Sequence, residues 1–236
     1  MRYEAILFDV GDTLLENRPS QEQIYADRLR FLGFSIDDAM LPAIAGTLAH
    51  ASYEQIAKEE NGAPRMSDED FDIMLDKAAL RCCPHAEKDS FYLEKLRSLP
   101  LPKQELAIMP GVCETLCRLS EKGIRLGVVS NHRTWLPDYL KEIGLSDYFE
   151  TIVVSEIVGV EKPDTRIMQI ALENLSLPAS FCLYVGDHPF DVLCAKKAGL
   201  DCAWLAPKEA TLPDSVPYQE DYRLQQLQDL LSVLAI

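Results

Sequence analysis

From Pro110 onward the chain repeats one unit: a short apolar run, a turn, then roughly ten to fifteen residues with apolar positions three and four apart. The apolar runs at 124–129, 151–154, 181–185 and 201–205 read as strands. The stretches 111–122, 135–142 and 190–198 read as helices, closed by Gly123, Gly144 and Gly199. Pro163 suits the first position of a further helix, and 219–234 reads as a closing one. Strands that alternate with helices require right-handed crossovers, which lay helices on both faces of a parallel sheet. An earlier run, 4–8, ends at Asp9 and belongs to the same sheet.

Between about residues 20 and 100 the pattern changes. Segments 21–31, 37–58 and 68–81 carry apolar residues at helical spacing, with no buried-strand pattern between them. Ser67-Asp-Glu-Asp70 supplies a cap and an acidic first turn for the last of these, and Asn61-Gly62-Ala63-Pro64 reads as a loop. The expected architecture is α/β: a doubly wound, Rossmann-like parallel sheet formed by 1–15 and 105–236, interrupted by an inserted α-helical domain, 16–104. A length of 236 residues suits one domain with a large insertion.

Composition limits the partners. A net charge of −15 repels phosphate backbones and anionic headgroups, so neither nucleic acid nor membrane is an expected partner. No apolar stretch approaches the ~20 residues of a membrane span. Met1-Arg2-Tyr3-Glu4 leads straight into a strand and leaves no room for a signal peptide. Seven cysteines, two of them adjacent (Cys82, Cys83) and none in a CxxC pair, fit a reduced, cytoplasmic protein without a disulfide framework. Cys113 and Cys117, at i,i+4 spacing, are expected as buried thiols on one helix face. Trp135 is expected to pack beneath its helix.

In open parallel sheets ligands bind beyond the carboxyl ends of the strands. Those ends, or the loops that follow, carry Asp9, Ser130, Lys162 and Asp187: two carboxylates, a hydroxyl and an ammonium. Singly, a carboxylate after a strand is commonly a turn former and a lysine is commonly solvated. Together they are a chemically coherent set. They lie in Asp9-Val-Gly-Asp-Thr13, Val129-Ser-Asn131, Lys162-Pro-Asp164 and Gly186-Asp-His-Pro-Phe-Asp191. In their order and spacing these motifs resemble the haloacid dehalogenase superfamily, in the branch whose helical cap is inserted after the first strand.

That resemblance implies a hydrolase, most simply a Mg²⁺-dependent phosphatase of a small phosphorylated metabolite. Asp9 would be the nucleophile that takes up the phosphoryl group. Asp9, Asp187, the Gly11 carbonyl and Asp191 would provide the hard oxygens Mg²⁺ requires, Asp191 as ligand or as acceptor behind the ligands. Ser130 and Lys162 would bind phosphate and neutralise its charge, with backbone N–H groups around Gly11, Asp12 and Asn131 completing a cradle. Lys162 and the metal would also supply the positive charge that so acidic a protein needs at an anion site. His132, His188, Arg18 and Arg133 lie close enough in sequence to touch substrate, whereas His50 and His85 are expected on the cap surface.

One position departs from the pattern. Phosphatases of the superfamily usually carry a second Asp two residues after the nucleophile, as acid and base; here that residue is Gly11, and Asp12 comes one residue late. Glycine also admits backbone angles that Asp adopts only at a cost. Substrates with good leaving groups, acyl or aryl phosphates, would suffer least from the lost proton transfer. Three other readings follow: a weakened relative that binds a phosphorylated ligand or a protein partner; a metal-independent 2-haloacid dehalogenase, which Asp187 and Asp191 oppose; and phosphonate cleavage through a cap lysine, for which Lys58, Lys77, Lys88 and Lys95 look too solvated.

Overall fold

The computed structural model describes residues 2–236 except 61, 62, 65, 85, 87–89, 209, 214 and 215. His85, Lys88 and the loop residues Asn61 and Gly62 lie outside the described residues. The chain divides into two compact units, Met1–Glu16 with Ala107–Ile236, and Asn17–Leu106.

The first unit is built on a parallel sheet of six strands. These are β1 (Ala5–Phe8), β4 (Arg125–Ser130), β5 (Thr151–Val154), β6 (Cys182–Gly186), β7 (Asp201–Leu205) and β8 (Tyr222–Leu224), in the order β5-β4-β1-β6-β7-β8. Continuous apolar runs such as Ala5-Ile-Leu-Phe8, buried throughout, are what a strand covered on both faces requires. β1 is central: Phe8 pairs with Val128 on one side and Val185 on the other. The order of connections reverses there, so Asp9 emerges at the topological switch. Covering helices include α5 (Val112–Glu121), α6 (Leu136–Glu142), α8 (Arg166–Leu175) and α9 (Pro189–Lys197), with the short α7 (Ser155–Val158) between α6 and α8 in the chain.

The second unit holds α1 (Gln21–Phe31), α2 (Leu41–Glu60), α3 (Asp68–Leu80) and α4 (Ser90–Ser98) around Leu29, Ile44, Leu48, Leu75, Leu80 and Leu96. Ser67 caps α3, its Oγ accepting the Asp70 N–H at 3.1 Å. β2 (Leu15–Arg18) and β3 (Glu105–Ile108), which the periodicity does not announce, pair as a two-stranded sheet. Among the described residues no helix is long and apolar enough to cross a membrane.

Four expectations need correction. Residues 219–234 do not form one helix: Tyr222–Leu224 joins the sheet beside β7, and only Asp229–Val233 (α10) is helical. Leu224, Leu227, Leu230 and Leu231 are all buried, and this spacing imitates a helical face while a strand and a helical turn share it. Pro163 does not open a helix; a turn intervenes, Asp164 accepts the Arg166 N–H at 2.9 Å, and α8 starts at Arg166. Trp135 does not pack beneath α6. It precedes the buried Leu136 and Leu140 and stays 45% exposed, its ring against the edges of His132 and Tyr139. Cys113 is exposed and Cys117 half-buried, because α5 turns Val112, Thr115, Leu116 and Leu119 inward.

Candidate active site

Asp9, Ser130, Lys162 and Asp191 are buried polar residues within one unit, gathered at the carboxyl ends of β1, β4 and β6. Burying charge is costly unless every charge finds partners. Lys162 finds three: its Nζ donates to Asp191 Oδ1 at 2.6 Å, Asp9 Oδ1 at 2.7 Å and Tyr184 Oη at 2.9 Å. Burial alone would push this ammonium down, but Asp191 and Asp9 outweigh it and hold Lys162 above its ordinary pKa.

Asn131 grips the Lys162 peptide from both sides. Its Oδ1 accepts the Lys162 N–H at 2.7 Å and its Nδ2 donates to the Lys162 carbonyl at 2.9 Å. The Asn131 amide therefore positions the lysine. Ser130, next to it on β4, hydrogen-bonds Asp9 and draws that carboxyl down, as Lys162 does; burial is the stronger influence and leaves Asp9 above its usual range.

Asp191, 1% exposed, is held on both oxygens. Oδ1 takes Lys162 and lies 3.2 Å from the Tyr184 hydroxyl, and Oδ2 accepts the His188 N–H at 3.0 Å in the capping box of α9. A Cβ at Gly186 would overlap this carboxylate, so the close approach needs glycine there. His188 Nδ1 accepts the Phe190 N–H at 3.2 Å, and burial pushes this imidazole down to about 4.

Asp187 is anchored from two sides, by Thr13 Oγ1 donating to its Oδ1 at 3.1 Å and Trp204 Nε1 donating to its carbonyl at 2.5 Å. Its pKa lies well above the usual carboxylate range, through burial first and then repulsion from Asp191, Asp9 and Asp12. Asp9, Asp187 and Asp191 can each place an oxygen within 4.8 Å of the others. Three hard, mutually repelling oxygen donors fit a divalent cation such as Mg²⁺, and the repulsion that raises Asp187 is what such an ion would relieve.

The loop after Asp9 turns on Val10, whose carbonyl accepts the Leu14 and Leu15 N–H groups at 2.9 and 2.8 Å. Asp12 adopts a left-handed φ of 50°, and its N–H is committed to Leu15 O at 2.7 Å, unlike the cradle donor expected from the sequence. Gly11 lies outside the left-handed region, and a Cβ there would meet nothing within 4 Å. The expected backbone demand for glycine is thus absent.

The other candidates disperse. Arg133 pairs with Glu156 at 3.3 Å on the surface. His132 accepts the Arg133 N–H on Nδ1 at 2.9 Å, burial holding its pKa down. His50 is exposed, as are Lys58, Lys77 and Lys95 in the helical unit, and Arg18 is also exposed. Sequence reasoning missed Tyr184, Thr13 and Trp204. A tyrosine in the buried run Cys182-Leu-Tyr-Val185 was the available signal, because a buried hydroxyl must find a partner.

A central strand that presents a carboxylate to a buried lysine and a second pair of carboxylates defines a hydrolase-type α/β core. The sequence pattern of haloacid dehalogenase-like hydrolases matches residues 6–205, and the chain belongs to this family. Pyrophosphatase PpaX of Bacillus velezensis is 32% identical over 242 residues, which cover 100% of this chain and 98% of that protein. The hydrolase YfnB of Bacillus subtilis, solved bound to magnesium, superposes with a TM-score of 0.66 at 21% identity over 100% of both chains. An L-2-haloacid dehalogenase gives 0.65 at 19% identity, also over 100% of both. The last two are likenesses of fold.

Proposed function

We propose that this hydrolase is a Mg²⁺-dependent phosphatase of small phosphorylated metabolites that works through a phosphorylated Asp9. The observation that carries this reading is the Asp9–Lys162–Asp191 network, a nucleophile and an ammonium fixed at the same buried strand end. A carboxylate oxygen of Asp9 attacks phosphorus, and the bond from phosphorus to the leaving oxygen breaks with its electron pair on that oxygen. Water then attacks the phosphorus of the aspartyl phosphate, which releases inorganic phosphate and restores the carboxylate. Lys162, its three N–H groups on Asp9, Asp191 and Tyr184, offsets the phosphoryl charge from beside Asp9, the Ser130 hydroxyl binds a phosphoryl oxygen, and Asn131 holds the Lys162 backbone in place. Asp9, Asp187, the Gly11 carbonyl and Asp191 would hold the metal, with Thr13 orienting Asp187. When bound, Mg²⁺ neutralises the charge shared by substrate and nucleophile.

The match to PpaX along the whole chain supports a phosphate substrate over a haloacid, as does the third carboxylate of the cluster, Asp187. Residues 16–104 act as a cap that selects the leaving group. Seven free thiols suit a reducing compartment such as the cytoplasm. Phosphate release from p-nitrophenyl phosphate and from acetyl phosphate, with Mg²⁺ and with excess EDTA, tests the proposal. Metal-dependent release is expected. Full activity in EDTA with halide release from a 2-haloacid would favour the dehalogenase, and binding without turnover a ligand-binding relative.

A further inference from the structure

We infer that the natural substrates are phosphates whose leaving oxygen departs as a stable anion without being protonated: acyl phosphates or phosphoanhydrides. The inference rests on the proposed transfer to Asp9 and adds the class of leaving group. At the carboxyl end of β1 the described side chains of the core unit have their protons committed elsewhere.

Lys162 spends its three N–H bonds on Asp9, Asp191 and Tyr184. The single Tyr184 proton goes to the Val129 carbonyl at 2.8 Å, with Asp191 the only other acceptor within reach among the described residues. Asp191 accepts on both oxygens, and Asp187, which accepts from Thr13 and stands with Asp9 and Asp191 as an oxygen donor to the divalent cation, would hold no proton in the Mg²⁺-loaded enzyme. His188 and His132 each accept a backbone N–H on Nδ1, which makes each ring the neutral Nε2–H tautomer, far too weakly acidic to protonate a leaving group. Asp12, in its left-handed turn, is exposed and lines a cavity of about 740 Å³ with Thr13, Met109, Leu205, Leu227 and Lys208, near enough to Asp187 to repel it as an anion. Gly11 directly follows the residue after the nucleophile, has open space where a side chain would stand, and brings no donor.

The chemistry then balances without one. Asp9 displaces a carboxylate from an acyl phosphate, or a phosphate anion from an anhydride, and each leaves carrying the bonding pair. In the second step water gives its hydroxyl to phosphorus and its proton to a phosphoryl oxygen, while Asp9 departs as carboxylate. An alkoxide cannot leave this way at neutral pH, because its oxygen is too basic.

The test is kcat/KM, with Mg²⁺ at constant pH, across substituted phenyl phosphates of similar size whose phenols differ in acidity, with acetyl phosphate, pyrophosphate and glycerol phosphate alongside. The rate is expected to fall by at least about a hundredfold from nitrophenyl to unsubstituted phenyl phosphate, the scale of a missing general acid. Acetyl phosphate or pyrophosphate should exceed glycerol phosphate by at least as much. Gly11→Asp should flatten the phenyl series by about tenfold, equivalent to ~1.4 kcal/mol of barrier. A flat wild-type series would overturn the inference while leaving phosphoryl transfer to Asp9 intact, and it decides the matter even if the variant fails to fold. No phosphate release from any of these compounds would overturn both.

Discussion

Each unit buries an ionic cluster, and the two differ in how the charges balance. In the helical unit Arg28 meets Asp76 at 3.3 Å and donates to the Leu96 carbonyl at 2.6 Å, with the guanidinium 5.2 Å from the Tyr25 ring centre. One cation faces one anion, and the pair joins α1, α3 and α4. In the core Lys162 pairs with Asp9 and Asp191, and a third carboxylate, Asp187, stands close to both of them. A matched pair is finished once the unit has folded. An unmatched cluster keeps more carboxylates than cations, and a divalent ion would relieve their repulsion. The excess charge, more than burial itself, separates a site from a strut.

Removing the proposed nucleophile should have the largest effect. Asp9→Asn keeps the shape and the Lys162 contact, yet phosphate release should fall by at least about a thousandfold, with the urea unfolding midpoint showing that the protein remains folded. Retention of a tenth of the rate would put the chemistry elsewhere.

Breaking either pair from the cationic side should cost stability, but only one loss should be separable from activity. Arg28→Met strands Asp76 and should cost about 3–5 kcal/mol in urea unfolding, while Arg28→Met with Asp76→Leu should recover most of that. Lys162→Met should destabilise the core through the repulsion left between Asp9 and Asp191, and should also abolish turnover. A double variant that restores the core's stability by removing Asp191 as well should not restore activity. If it does, the core cluster is a strut like the other.

Smaller effects sharpen the contrast. Thr13→Val removes the donor to Asp187 and should weaken Mg²⁺ binding about 10- to 100-fold by calorimetry, with little change in the unfolding midpoint. Tyr184→Phe removes one of the three acceptors of Lys162 and should cost about 1.5 kcal/mol. Its signature should be a lower kcat with KM nearly unchanged, since the hydroxyl positions the lysine.

What could be read in advance followed the physics of burial. Strands β1, β4, β5, β6 and β7 are apolar because both faces are covered, so their ends, and the residues at those ends, stand out in the sequence. The carboxyl-terminal region did not, since Leu224, Leu227, Leu230 and Leu231 serve a strand and a helical turn with a spacing that a single helix would also produce. Asp9 and Asp187 were legible because each directly follows the end of a strand, whereas Lys162 sits in the loop beyond α7 and stood out through its Lys162-Pro-Asp164 motif. Tyr184 and Trp204 were not, because their polar tips act from inside strands where only the apolar ring shows in the pattern. The purpose of Asn131 was equally hidden: a side chain that clamps a peptide 31 residues away becomes visible only when β4 and the Lys162 loop are brought together.

The central claim is that Asp9 carries the phosphoryl group during turnover. Acid quenching during steady-state hydrolysis of acetyl phosphate, followed by mass spectrometry of the proteolytic fragment containing Asp9, tests it directly. One phosphoryl group on Asp9 is expected, building up with turnover and absent from Asp9→Asn. Phosphate release from a wild-type enzyme whose Asp9 fragment stays unmodified, with the Asp9→Asn variant still active, would contradict it.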